Sequence, residues 1–174
     1  MDARFLFVPI ATVAIMLPAH ATVYMSVEQA QALMFPGAGF SPDFRTLTAA
    51  QAAAIEKASG TNVLNREVKL WKVSTGGWFI ADEVVGKHDF IPFVLGIDAN
   101  GAVTDVEILE YREAYGGDVR NPKWRAQFVG KSRASALKLT QDIQNISGAT
   151  LSSKHITDGV RRLLSTYAVL LANI

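Results

Sequence analysis

The 174-residue chain contains no cysteine. That excludes disulfides, thiolate zinc sites, cysteine-ligated iron–sulfur clusters, thioether-linked haem, a thiol nucleophile and a lipid-modified cysteine anchor. Any redox chemistry must then sit on another group. An excess of charge of one sign is also missing: 17 Lys+Arg against 16 Asp+Glu leave a formal net charge of +1. Near-neutrality removes the electrostatic warrant for a nucleic-acid binder, which needs a concentrated basic face, and argues against a highly charged disordered chain. Histidine is scarce, and His20, His88 and His155 stand too far apart for metal-ligand spacing. What remains is ordinary for one globular domain, with 49% hydrophobic and 19% charged residues. The length suffices to bury a core without covalent staples.

The hydrophobic run Phe5–Leu17 is uncharged but shorter than the roughly 20 apolar residues of a spanning helix. It follows Arg4 and precedes Pro18 and Ala19-His20-Ala21. This order of regions is that of a secretory signal peptide, with cleavage expected after Ala21. The alternative is a retained N-terminal anchor. Loss of Met1–Ala21 removes one acid and one base, leaving a domain over residues 22–174 with unchanged net charge. An exported chain without cysteine fits a bacterial periplasm, where a domain of this size can fold without disulfides.

Ser26-Val-Glu-Gln29 has capping-box spacing and predicts a short helix from Ser26 to Met34, stopped by Pro36-Gly37. Thr48-Ala-Ala-Gln51 repeats the pattern ahead of an alanine-rich helix that ends near Ser59 and is expected on the surface. From Glu67 the residues alternate in strand fashion. Strands are expected over Glu67–Val73, Trp78–Val85, Phe90–Ile97 and Ala102–Tyr111, joined by tight turns into an antiparallel meander. Arg112–Pro122 reads as a loop, a short helix is expected around Trp124–Phe128, and Gly130–Ile146 reads as a connector. From Ser153 to Leu171, apolar residues three and four apart predict a long amphipathic helix. Lys154, Asp158, Arg161 and Arg162 fall on its other face, with Arg161 and Arg162 read as a solvated surface or as a docking patch for an acidic partner. The expected fold is α+β: a sheet of about four antiparallel strands packed with helices.

Between the connector and the last helix lies Ser147-Gly148-Ala149-Thr150-Leu151-Ser152-Ser153. A small-residue entry to a helix N-terminus suits an anion, because the first N–H groups lack intrahelical partners. The plainer reading is that Ser152 or Ser153 caps the helix. The segment resembles the flavinylation motif of FMN-binding domains, such as the C subunit of the sodium-pumping NADH:quinone oxidoreductase and the G subunit of the Rnf complex. The likeness extends to Val85-Gly86-Lys87-His88, to Gly96-Ile97-Asp98, to Glu110–Gly117 and to Trp124…Gln127-Phe128-x-Gly130. It implies FMN held by a phosphoester on Thr150, attached by an exported flavin transferase with FAD as donor. The family commonly has Asp six residues before that Thr, whereas this chain has Gln144, with Asp142 nearby. Ser147, Gly148, Ala149, Leu151 and Ser152 are candidate cofactor contacts beside Thr150. Glu113, Tyr115, Gly116 and Gly117 form a loop like a flavin-contacting segment of the family. Lys87 and His88 supply cations that could face a reduced flavin. Trp71, Trp78 and Trp124 are either ring-stacking or core aromatics.

The resemblance implies an exported electron carrier or relay between a membrane redox protein and a periplasmic partner. A flavin-dependent reductase component and a non-redox binding module are the alternatives. No residue constellation marks a substrate-turnover site, so whether the chain is an enzyme stays open at this point.

Overall fold

The computed structural model describes residues 22–171. The signal-peptide reading of Met1–Ala21 lies outside the described residues.

Strand β1 (Thr22–Val23) leads into α1 (Val27–Met34). Ser26 and Gln29 form the reciprocal capping box, with Gln29 N donating to Ser26 Oγ (3.2 Å) and Ser26 N to Gln29 Oε1 (2.8 Å). Short strands β2 (Phe40–Pro42) and β3 (Arg45–Thr46) follow, then α2 (Ala49–Ser59). Thr48 and Gln51 cap α2 in the same reciprocal way. This helix is less superficial than its alanine run suggests. Ala52, Ile55 and Ser59 are buried, and Arg161 Nε donates to the Ser59 carbonyl at 2.6 Å.

Four long strands build the sheet as a meander: β4 (Glu67–Val73), β5 (Trp78–Val85), β6 (Phe90–Ile97) and β7 (Val103–Ile108). The sheet order is β2-β4-β5-β6-β7, and β3 adds a second pairing to β4. The architecture is therefore α+β, with three short strands, β1, β2 and β3, beyond those the pattern predicts. β6 is an interior strand and almost wholly buried. The fourth strand is shorter than expected. Leu109 N donates to Pro92 O at 2.9 Å, but proline has no N–H to return the bond. The Leu109 carbonyl accepts from Tyr24 N (2.9 Å) and Met25 N (3.3 Å) instead. The chain thus leaves the main sheet, and β8 (Glu110–Tyr111) pairs with β1.

A 3-10 turn (Gly117–Arg120), helix α3 (Pro122–Arg125) and a second 3-10 turn (Ala126–Phe128) lead to the connector. The connector is part of the core, since Leu137 and Ile143 are fully buried. The Asp142 carboxylate accepts from Leu137 N (3.1 Å) and Lys138 N (2.9 Å) and pairs with Lys131 (3.3 Å). The last helix, α4 (Thr150–Leu170), lies across the sheet face opposite α1. Ile156, Val160, Leu163 and Leu164 bury its apolar stripe against Val84, Phe93 and Ile55.

Arg162 is buried and bonds Asp82 (2.8 Å), the Glu83 carbonyl (2.8 Å) and the Asn62 carbonyl (3.2 Å). Arg161 bonds Ser59, Leu137 and Asp158. Neither is a solvated face or a docking patch: the helix needs both to satisfy carbonyls that packing has removed from water. The three tryptophans belong to the packing. Trp71 meets Phe79 and Phe44 edge to face, Trp78 packs on the main core, and Trp124 meets Phe128.

Candidate functional site

The first turn of α4 contains the small-residue motif. The helix opens at Thr150, earlier than the expected Ser153, and Ala149 is its N-cap without any side-chain cap. Ser152 and Ser153 are buried inside the first turn, so the capping role considered for them is overturned. A serine caps only from the half-in position before the helix, where its oxygen can reach the free N–H groups. The uncapped terminus leaves donors and a partial positive charge beside Thr150.

Thr150 is exposed, and its Oγ1 accepts a hydrogen bond from Asn145 Nδ2 at 2.9 Å. The segment ahead of it is pinned from below. Trp124 Nε1 donates to the Gln144 carbonyl (2.7 Å), and Gln144 N donates to Gln127 Oε1 (2.7 Å). Trp124 and Gln127, which the sequence links to the motif only by resemblance, thus fix the backbone leading into it. The Gln144 side chain is left on the surface.

A second wall comes from the loop after β8. Tyr111, 4% exposed, donates its hydroxyl proton to the Tyr115 carbonyl at 2.6 Å. Ser152 Oγ lies 2.8 Å from the same hydroxyl and is therefore the donor of that bond. Gly116 passes through the crowded point, where a Cβ would collide with the Tyr111 hydroxyl and stand 2.6 Å from Ser152 Oγ. Burial pushes the Tyr111 phenol above its ordinary range, so it stays protonated.

The third wall is the β5–β6 turn, Gly86–Asp89. Glu113 Oε1 accepts from His88 N (2.5 Å) and Asp89 N (3.1 Å). Burial alone would raise the Glu113 carboxyl, but these amide donors outweigh it and hold it below the usual range. Gly86 is close enough to this carboxylate that a Cβ would meet Glu113 Oε1 at 2.5 Å.

The three walls enclose an open cavity of about 500 Å³. Its lining comprises Lys87, His88, Glu113–Gly116 and Gly148–Ser152. Of the residues singled out from sequence, the structure brings together Thr150, Gly148, Ala149, Leu151, Ser152, Glu113, Tyr115, Gly116, Lys87 and His88. Ser147 and Gly117 are not among them, and Gly117 borders a different hollow with Met25 and Asp118. Sequence reasoning missed Tyr111 and Asn145. Tyr111 reads as one more alternating strand residue, and nothing in a lone Asn marks it. The space between Asp82, Arg162 and Glu67 holds about 20 Å³, room for a water and no cofactor.

The cavity suits a flat phosphorylated cofactor. Its volume falls within the roughly 300–1,000 Å³ of small-molecule sites. Where Gly148 lacks a side chain, no other atom lies within 4 Å of the Cβ position. The exposed threonine hydroxyl and the uncapped end of α4 lie on the same wall of the cavity, and a helix N-terminus is a favourable place for an anion.

Residues 86–165 match the family model described as FMN-binding domain. The chain is also 30% identical over 112 residues to the G subunit of the Na+-translocating ferredoxin:NAD+ oxidoreductase complex of Acetobacterium woodii. That alignment takes in 59% of this chain and 51% of the other, so the chain spans about half the length of the curated relative it matches. Every residue lining the cavity falls inside the stretch that makes this chain similar to FMN-binding domains.

Proposed function

We propose that the chain is an electron-transfer flavoprotein carrying FMN through a phosphoester on Thr150. The observation that carries this reading is the placement of an exposed Thr150 Oγ1 on the wall of a cofactor-sized cavity within the matched stretch. An FMN bound there would supply the one- and two-electron steps that no side chain of this protein offers. Thr150 would be joined by transfer from FAD. Its Oγ1 bonds the flavin-side phosphorus, the phosphoanhydride breaks, AMP leaves, and the hydroxyl proton passes to a base on the flavin transferase. The N-terminus of α4 would steady the phosphate, and Lys87 and His88 would face a ring made more negative on reduction.

We further propose export to the periplasm, with the Met1–Ala21 segment as signal or retained anchor. The exchange partners would be a membrane electron-transfer protein and a periplasmic acceptor or donor. The relative's identity as one component of a Na+-translocating oxidoreductase complex supports a carrier more than a stand-alone enzyme.

The test is expression with a matched flavin transferase. The purified chain should fluoresce on a denaturing gel and gain the mass of FMN less one water. Thr150→Ala should abolish both signals, and Thr150→Ser should keep a reduced fraction. A colourless, unmodified wild-type chain from those cells would overturn the reading.

A further inference from the structure

Two walls of the cavity come from segments about 40 residues apart in sequence, and one side chain touches both. We propose that Tyr111 is a positioning residue whose hydroxyl latches the Glu113–Gly116 loop to the first turn of α4, and so sets the gap into which the cofactor fits. The inference rests on the reading of this cavity as an FMN site.

The bonding is directional. The phenol has one proton, and the Tyr115 carbonyl takes it. Its oxygen then accepts from Ser152 Oγ, two residues after Thr150. The chain of donors therefore runs from helix to ring to loop, and its members polarise one another in a site shielded from water. Tyr115 contributes its carbonyl, while its side chain is 86% exposed and free to face whatever lies outside. Gly116 completes the arrangement, because any side chain there would push the phenol and the serine apart. The geometry also removes Ser152 as a competing hydroxyl: it is buried and already bonded, whereas Thr150 Oγ1 is exposed.

The test compares wild type, Tyr111→Phe and Ser152→Ala, each with and without attached FMN. In the unmodified chain, amide hydrogen exchange at His88, Asp89 and Val119, whose N–H groups donate to Glu113 and to the Gly116 carbonyl of this loop, should quicken about tenfold in Tyr111→Phe, the loss of one net hydrogen bond. It should quicken less in Ser152→Ala, which spares the bond to Tyr115. Exchange in β6, which opens only with the whole molecule, reports any loss of overall stability and is the reference for the local effect. In the modified protein, the visible circular dichroism of the flavin should weaken in Tyr111→Phe, a signal that a general loss of stability would not move. Unchanged exchange at these three amides in both variants, or an unchanged flavin signal with normal loading, would overturn the proposal. Should Tyr111→Phe not fold, Ser152→Ala decides by the same two readouts. A wild-type chain that never acquires FMN would overturn the functional reading instead, and the exchange measurement would still test whether the latch exists.

Discussion

A methyl group is the smallest change that can be put on the cavity wall, and two glycines there should answer it differently. Gly116 has φ +98° and no room, because an added Cβ would collide with the Tyr111 hydroxyl. Gly148 has φ +82° but open space around it. Gly148→Ala should therefore cost only the conformational penalty of a left-handed alanine, about 1 kcal/mol. Gly116→Ala should cost that plus overpacking, about 2–4 kcal/mol in total. Urea unfolding of the two variants measures the difference, and equal losses would mean that the latch region yields easily. At this scale the sequence carries the motif residues well, because Ser147–Thr150 is a contiguous string. It does not carry Tyr111, whose role depends on a loop and a helix that only the fold brings to one place. Nor does it show that Glu113 serves the β5–β6 turn through its carboxylate, since His88 and Asp89 donate from the backbone and leave no trace in side-chain identity.

Elements were more legible than contacts. Both capping boxes, at Ser26–Gln29 and Thr48–Gln51, start the helices the pattern predicts, because a cap is a local bond between residues three apart. The start of α4 is displaced because Ser152 and Ser153 look like caps and are instead turned inward by tertiary packing. β7 ends early because its neighbour presents Pro92, a cross-strand effect invisible within either segment. Helix α4 also shows how packing inverts propensity. In an exposed helix interior, Gly→Ala gains about 1 kcal/mol. At Gly159, an added Cβ would meet Val84 Cγ1 at 2.6 Å and the Phe93 ring at 2.9 Å. Gly159→Ala should therefore destabilise by about 1–3 kcal/mol by forcing the helix off the sheet. Arg162→Met should cost a similar amount or more, about 2–4 kcal/mol. It leaves Asp82 and the Asn62 and Glu83 carbonyls without the guanidinium, although partial exposure of Asp82 moderates the loss. Thermal unfolding followed in the far ultraviolet checks both, and a stabilised Gly159→Ala would contradict this packing of α4.

The molecule as a whole holds its cavity without a covalent cross-link between the walls, since it has no cysteine. Polar contacts replace the staple, and several depend on an ionised carboxylate. For Glu113, burial pushes the carboxyl up and the His88 and Asp89 amides more than reverse it. For Asp142, burial again acts upward and the Lys138 and Leu137 amides, with Lys131, bring it down. Asp43 is lowered first by its bond to Arg45. A carboxyl whose folded value is depressed adds stability that is fully present above its unfolded value, about 4 for these groups. That stability disappears as pH falls through the folded value, because the unfolded chain then binds more protons. Urea midpoints should accordingly stay level from pH 7 to about pH 5 and fall below about pH 4. Glu113→Gln should begin from a lower midpoint at pH 7, having lost the charged acceptor, and should decline less steeply in acid. Because Glu113 joins the β5–β6 turn to the loop carrying Gly116, the same variant should quicken amide exchange at His88 and Asp89 at pH 7. In wild type that exchange, corrected for the intrinsic pH dependence of amides, should approach the variant's as the pH falls below about 4. Parallel acid profiles in the two proteins would show that the carboxylate carries none of this linkage, and would leave Tyr111 and Ser152 as the main tie between the cavity walls.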